Sequence, residues 1–159
     1  MSGSWRALSQ AKIGGFCLRV DDETFVKVVQ ACLENLARAG FKVVVAHGHG
    51  PSTRAFRDHL AVWEVHFDLR LLHLQNELGD HGLGFMSDHA ATNETSLMMA
   101  LHPEWVDLTA IADQEPLVGI WGTDPRTHAS AELGNQIIRA QIEWLRDRLT
   151  GFGILAPNL

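Results

Sequence analysis

Between residues 22 and 39, apolar side chains recur at steps of three and four: Phe25, Val28, Val29, Cys32, Leu33 and Leu36. That spacing lays one stripe along one face of a helix and places Cys32 in the core. Asp21, Asp22 and Glu23 suit the positive N-terminal end of such a helix, and Gly40 supplies its stop. The next run, FKVVVAH at 41–47, has the valine-rich pattern of a strand covered on both faces, as in a parallel sheet. Gly48 to Pro51 breaks the strand, and Ser52 suits the cap of a helix reaching about Val62. WEVHFDLRLL at 63–72 alternates in part and predicts a second strand.

Residues 73–91 read as a Gly- and Asp-rich loop whose first part, to Met86, is expected to face a pocket. A helix from Asn93 to Leu101 follows, burying Leu97, Met98 and Leu101 and ended by Pro103. LVGIW at 117–121 predicts a third short strand, and GTDPRTHAS a loop. A last helix from Ala129 to Leu149 is expected to bury Leu133, Ile137, Ile138, Trp144 and Leu145, with Gly151 as its stop. Helices alternating with short strands predict an α/β layered domain. The domain spans 13–150, opens on a short strand or loop at 13–20, and is flanked by an extension (1–12) and a tail (151–159).

Composition narrows the function classes. A chain of 159 residues, 46% hydrophobic, is long enough for one domain with a real core. A formal charge of −6 without a basic run weighs against nucleic-acid and anionic-membrane partners. The N-terminal residues lack the apolar core of a secretory signal, and no apolar stretch approaches the ~18 residues of a membrane span. Cys17 and Cys32 form no Cys-x-x-Cys pair and no disulfide scaffold, which fits a reducing cytoplasm. Nine histidines raise the question of a metal.

In open α/β sheets, ligands bind where loops leave the carboxyl ends of strands. Three loops qualify. His47-Gly48-His49-Gly50 follows the valine strand; Asp88-His89 precedes Asn93-Glu94-Thr95-Ser96 at a helix start; Thr123 to His128 leads into Ala129-Ser130. Each has a structural explanation as well. A His-x-His can be ordinary loop polarity, Glu94 a capping residue, and Asp124-Pro125 a turn initiator. Trp121 stands beside the third loop, where it can line a pocket. His59, His66, His73, His81 and His102 have no partner at an informative spacing and read as surface or core residues.

Together the three loops resemble the creatininase (creatinine amidohydrolase) family, in order, over roughly residues 13–150. The family's Asn-Gly-His-Gly-Gly-Asn is matched by His47 to Ser52, and its His-Ala-Gly-Glu-x-Glu-Thr-Ser by His89 to Ser96. Its Gly-Asp-Pro-Arg-x-Ala-Thr-Ala-Glu-x-Gly is matched by Gly122 to Gly134. The resemblance implies a three-layer α/β/α domain with a mostly parallel sheet, truncated at the N-terminus. It also implies a divalent metal (Zn²⁺, Mn²⁺ or Fe²⁺) whose bound water attacks a C–N bond of an amide, cyclic amide or formamide. By position His49 and Glu94 would be metal ligands and His89 the general acid/base. Trp121, Asp124, His47 and His128 would form the substrate-binding wall.

Family members also carry an upstream Glu-x-His-Gly-x-His-Leu-Pro strand end that supplies most metal ligands, and residues 1–48 contain no such run. Pro51, Ser52 and Thr92 replace further family residues. The site is therefore expected to be incomplete in this chain alone, since metal centres generally use three or more protein ligands. Three readings follow. The chain is one subunit or fragment of a hydrolase completed by a second polypeptide or by homo-oligomerisation. It acts alone, with His47, His49, His89, Glu94 and His128 improvising a site. Or it is a non-catalytic scaffold.

Overall fold

The computed structural model describes residues 20–48, 50–74 and 88–156. The segment expected as a strand or loop at 13–20 lies outside them except for Val20, as do His49, His81 and most of the loop from His73 to Met86. Helix α1 runs Asp22–Arg38, with the Asp21 carboxylate accepting from the Thr24 amide at 2.8 Å and Gly40 at φ +91° ending it. Strand β1 (Val43–Ala46), helix α2 (Gly50–Phe67) and strand β2 (Arg70–His73) follow. The two strands pair in parallel, Val43 with Arg70 through Ala46 with His73. A parallel pair needs a crossover, and α2 is that crossover.

Three expectations change here. Residues 63–67 finish α2 instead of opening a strand, so β2 keeps only the last part of the predicted run. Helical spacing explains the difference, because Phe56, Leu60, Trp63 and Phe67 fall on one α2 face against a cluster with Leu33, Leu69 and Leu71. The turn between them uses Asp68 at φ +51°, a conformation that Asp tolerates better than most residues. Glu64 then accepts the Leu71 amide at 2.9 Å, tying the end of α2 to β2. β1 is not covered on both faces: Val45 is exposed, while Leu71, Leu72 and His73 of β2 are buried. Cys32 is exposed rather than in the core, because the buried line of α1 centres on Leu33.

The described C-terminal residues form a second packing unit. Helix α3 (Thr92–Leu101) crosses helix α5 (Ala131–Gly151), with two 3-10 turns (Pro103–Trp105 and Leu108–Ala110) and the short helix α4 (Pro125–His128) between them. No strand forms at 117–121, where Val118 and Trp121 are exposed; Trp121 forms an isolated antiparallel bridge with His89. Of the five side chains expected to be buried on the last helix, Ile137 is, at 0% exposure, and the other four are half-buried. On α3, Leu97 is buried and Leu101 exposed. Ser130, not a residue at 128–129, caps α5 by accepting the Leu133 amide.

The α3–α5 crossing is set by Gly134. A Cβ there would meet the Ser96 carbonyl and the Ala100 side chain, so the two backbones touch only because this residue has none. Gly134→Ala should therefore destabilise the fold by about 2 kcal/mol, whereas Gly151→Ala, facing open space, should change it by about 0.5 kcal/mol or less. Chemical denaturation of both variants checks the pair. Equal effects would mean that the crossing tolerates separation.

Candidate functional site

Two of the three sequence loops meet. The His89 amide donates to the Trp121 carbonyl at 2.8 Å, and the Trp121 amide returns a bond to the His89 carbonyl at 2.9 Å. This exchange places a half-buried imidazole and an exposed indole on adjoining strands of main chain.

The preceding residue explains how the loop is held. Asp88 is buried, and its carboxylate accepts the Asn93 amide at 2.6 Å and the Glu94 amide at 3.1 Å. These are donors that the first turn of α3 cannot satisfy internally. Glu94 reaches back to accept the Ala90 amide at 2.7 Å, the reciprocal half of a capping arrangement. Between them Ala90 adopts φ +50°, the left-handed region that non-glycine residues rarely occupy, directly after His89. Gly122 at φ +136° lies so close that a Cβ would sit 2.7 Å from Asp88 Cβ and 2.9 Å from Ala91 Cβ.

The third loop is locked by polar contacts as well. Thr92 donates through its hydroxyl to the Thr123 carbonyl at 2.9 Å and through its amide at 3.2 Å. The fully buried Ser96 hydroxyl accepts the Ser130 amide at 3.0 Å while donating to the Thr92 carbonyl. Asp124 caps α4 through the Arg126 amide and takes both Nε and Nη2 of the Arg126 guanidinium, the latter at 2.7 Å. Arg126 Nη1 in turn donates to the carbonyls of Ala112 and Glu115, pinning the irregular stretch before Trp121. His128 is exposed, its Nδ1 2.6 Å from the Thr127 hydroxyl.

The structure thus gathers His89, Glu94, Trp121 and Asp124 on one frame, with Glu94 and Asp124 engaged in holding it. His47 lies elsewhere, exposed at the carboxyl end of β1, and His49 falls outside the described residues. Among the described residues no group of three His, Cys, Asp or Glu side chains converges as a metal site requires. These residues by themselves do not fit a metal ion.

One histidine passed over in the sequence gains weight. His73 ends β2, is buried to 3% exposure, and neither ring nitrogen has a hydrogen-bond partner among the described residues. Burial first, then the charges of Arg57 and His47, push its pKa below the ordinary histidine value. Its place directly after Leu71-Leu72 at a strand's carboxyl end was the available signal.

The sequence profile of the creatininase family, described as creatinine amidohydrolase, matches residues 10–149. A tryptophan-to-phenylalanine variant of creatininase superposes with a TM-score of 0.62 at 21% identity, covering 83% of this chain and 64% of that one. A glutamate-to-glutamine variant of Zn-Zn type gives 0.62 at 22% identity, with 83% and 64% covered. A glutamate-to-glutamine variant complexed with creatine gives 0.57 at 23%, with 83% and 65% covered. These likenesses establish an α/β fold, and the chain spans 64% of the length of the first two. No curated protein matches it.

The Arg126 hydrogen bonds, the side-chain contact first and the backbone amide second, hold the Asp124 carboxyl below the usual carboxylate value. A folded-state pKa below the unfolded one gives stabilisation that is present at neutral pH and lost as pH falls through the carboxylate range. Asp124→Asn should therefore lower stability at pH 7 and lose less of it than the parent from about pH 5 downward. Urea denaturation over a pH series reads this. Parallel curves for the two proteins would exclude a contribution from the Asp124–Arg126 pair.

Proposed function

We propose that this chain, which belongs to the creatininase family, is one subunit or fragment of a hydrolase that acts on a C–N bond of an amide, cyclic amide or formamide and needs a second chain for its full metal site. The family is generally one of metal-dependent amidohydrolases. Solved relatives of Zn-Zn type and with bound creatine make a divalent ion and a small nitrogenous substrate the natural expectation. Because the described residues alone do not fit an ion, His49 and Glu94 would be joined by donors from a second polypeptide or another copy. The ion, Zn²⁺, Mn²⁺ or Fe²⁺, would polarise the carbonyl and acidify a water.

The observation that carries the reading is the His89–Trp121 pairing. It holds an imidazole and a flat apolar surface side by side on a loop whose position is over-determined by Asp88, Gly122 and Thr92. An imidazole nitrogen can both accept and donate a proton, so His89 would supply the proton that a departing nitrogen must receive. Trp121 would give the substrate a face to lie on. His47 and His128 would supply polar contacts, and Asp124 positions the loop through Arg126. No helix among the described residues is long and apolar enough to cross a membrane. We place the protein in the cytoplasm.

A second reading is a non-catalytic scaffold. It is favoured by the engagement of Glu94 in capping and of Asp124 with Arg126, which leaves the local carboxylates in structural service. Turnover separates the two. With creatinine and simple formamides as substrates and Zn²⁺ or Mn²⁺ supplied, His89→Ala should lower the rate by about 10²-fold or more while bound metal stays constant. An unchanged rate would refute the role of His89. Absence of chelator-sensitive turnover, alone and with a co-purifying partner, would leave the scaffold reading.

A further inference from the structure

A cavity of about 300 Å³ opens between α1, α2 and the carboxyl ends of β1 and β2. One side is apolar, made by Phe25, Val29, Leu33 and Leu36 of α1 with Phe56 of α2. The other holds His47, Gly48, Ser52, Thr53 and His73, and among the described residues no carboxylate lines it.

His73 is the observation that points to a ligand. Its ring lies against Phe56, centroids 6.2 Å apart and planes 19° from parallel. It is buried to 3% exposure on the cavity wall with both nitrogens unpartnered among the described residues. A buried polar group without a partner is costly, and the cavity is where its partner has room. Among the described residues the Arg57 guanidinium acts on His73 as a positive charge, and the first turn of α2, which carries Ser52 and Thr53, contains no acidic residue to offset its helix dipole. Gly48 keeps this end open: a Cβ there would stand 2.9 Å from the Ser52 hydroxyl.

We propose that this cavity binds a small apolar carboxylic acid, its carboxylate at the His47–His73 end and its hydrocarbon against α1. An apolar void of about 150 Å³ already accepts benzene, so the space suits a ring with a carboxylate attached. The inference goes beyond the hydrolase reading, because binding here requires neither metal nor turnover. His47 is the residue that the two share.

The test is a titration of the full chain with benzoate, with benzamide as the uncharged isostere, followed by NMR of the histidine rings and by calorimetry. Benzoate should bind one to one and move the His73 resonances, with benzamide about tenfold weaker or more, as expected for loss of a charge-assisted hydrogen bond. His73→Leu should weaken benzoate by a similar factor. Cys32→Trp, placed at an exposed residue on the cavity rim, should block binding without changing thermal unfolding, and it serves if His73→Leu does not fold. Equal affinity for benzamide, full binding by a folded His73→Leu or Cys32→Trp variant, or no saturable shift at millimolar benzoate would each overturn the proposal.

Discussion

The first turn of α3 presents backbone donors that no residue within the helix can satisfy, and the second packing unit is organised around meeting that need. Asp88 must approach from the loop before the helix, close enough to accept from both Asn93 and Glu94. That requirement turns the chain through the left-handed Ala90, aligns His89 for exchange with Trp121, and draws Gly122 in until only a glycine fits. Thr92 and Ser96 extend the same logic along the helix, the first to Thr123 and the second to the amide that begins α5. Main chain held from so many sides fixes the position of the His89 backbone.

The α/β unit solves a different problem by apolar packing. Its crossover helix turns Trp63, fully buried, onto Phe56 at 5.4 Å and onto the end of α1 through Leu33. Where this packing stops, at the carboxyl ends of the strands, the wall changes from hydrocarbon to His47, Thr53 and His73. Among the described residues the buried His73 imidazole has no hydrogen-bond partner, so an apolar side chain of similar size there would remove a desolvation penalty.

Residues in the family-like motifs divide into two kinds once their contacts are seen. Glu94, Ser96, Asp124 and Arg126 hold main chain in place, while His89 and Trp121 are the groups so held. A motif records both kinds equally, because loss of either disables the same loop. Spacing cannot tell a ligand carboxylate from a capping one; hydrogen-bond partners can.

Much of the fold was legible in local pattern. The stripe of α1, the valine run of β1 and the α/β alternation are short-range consequences of which residues must leave water, and the three ordered motifs carried the family. The errors share one cause, which is that burial is a property of neighbours. WEVHF and LVGIW have strand-like composition, yet the first completes the apolar face of α2 and the second finds no strand beside it among the described residues. Cys32 lies on the apolar stripe but at its exposed margin. His73 looked ordinary because no partner stands at an informative spacing from it in the sequence. Only the tertiary structure brings Phe56, His47 and Arg57 around it, and a side chain's partners, unlike its periodicity, are chosen by segments far along the chain.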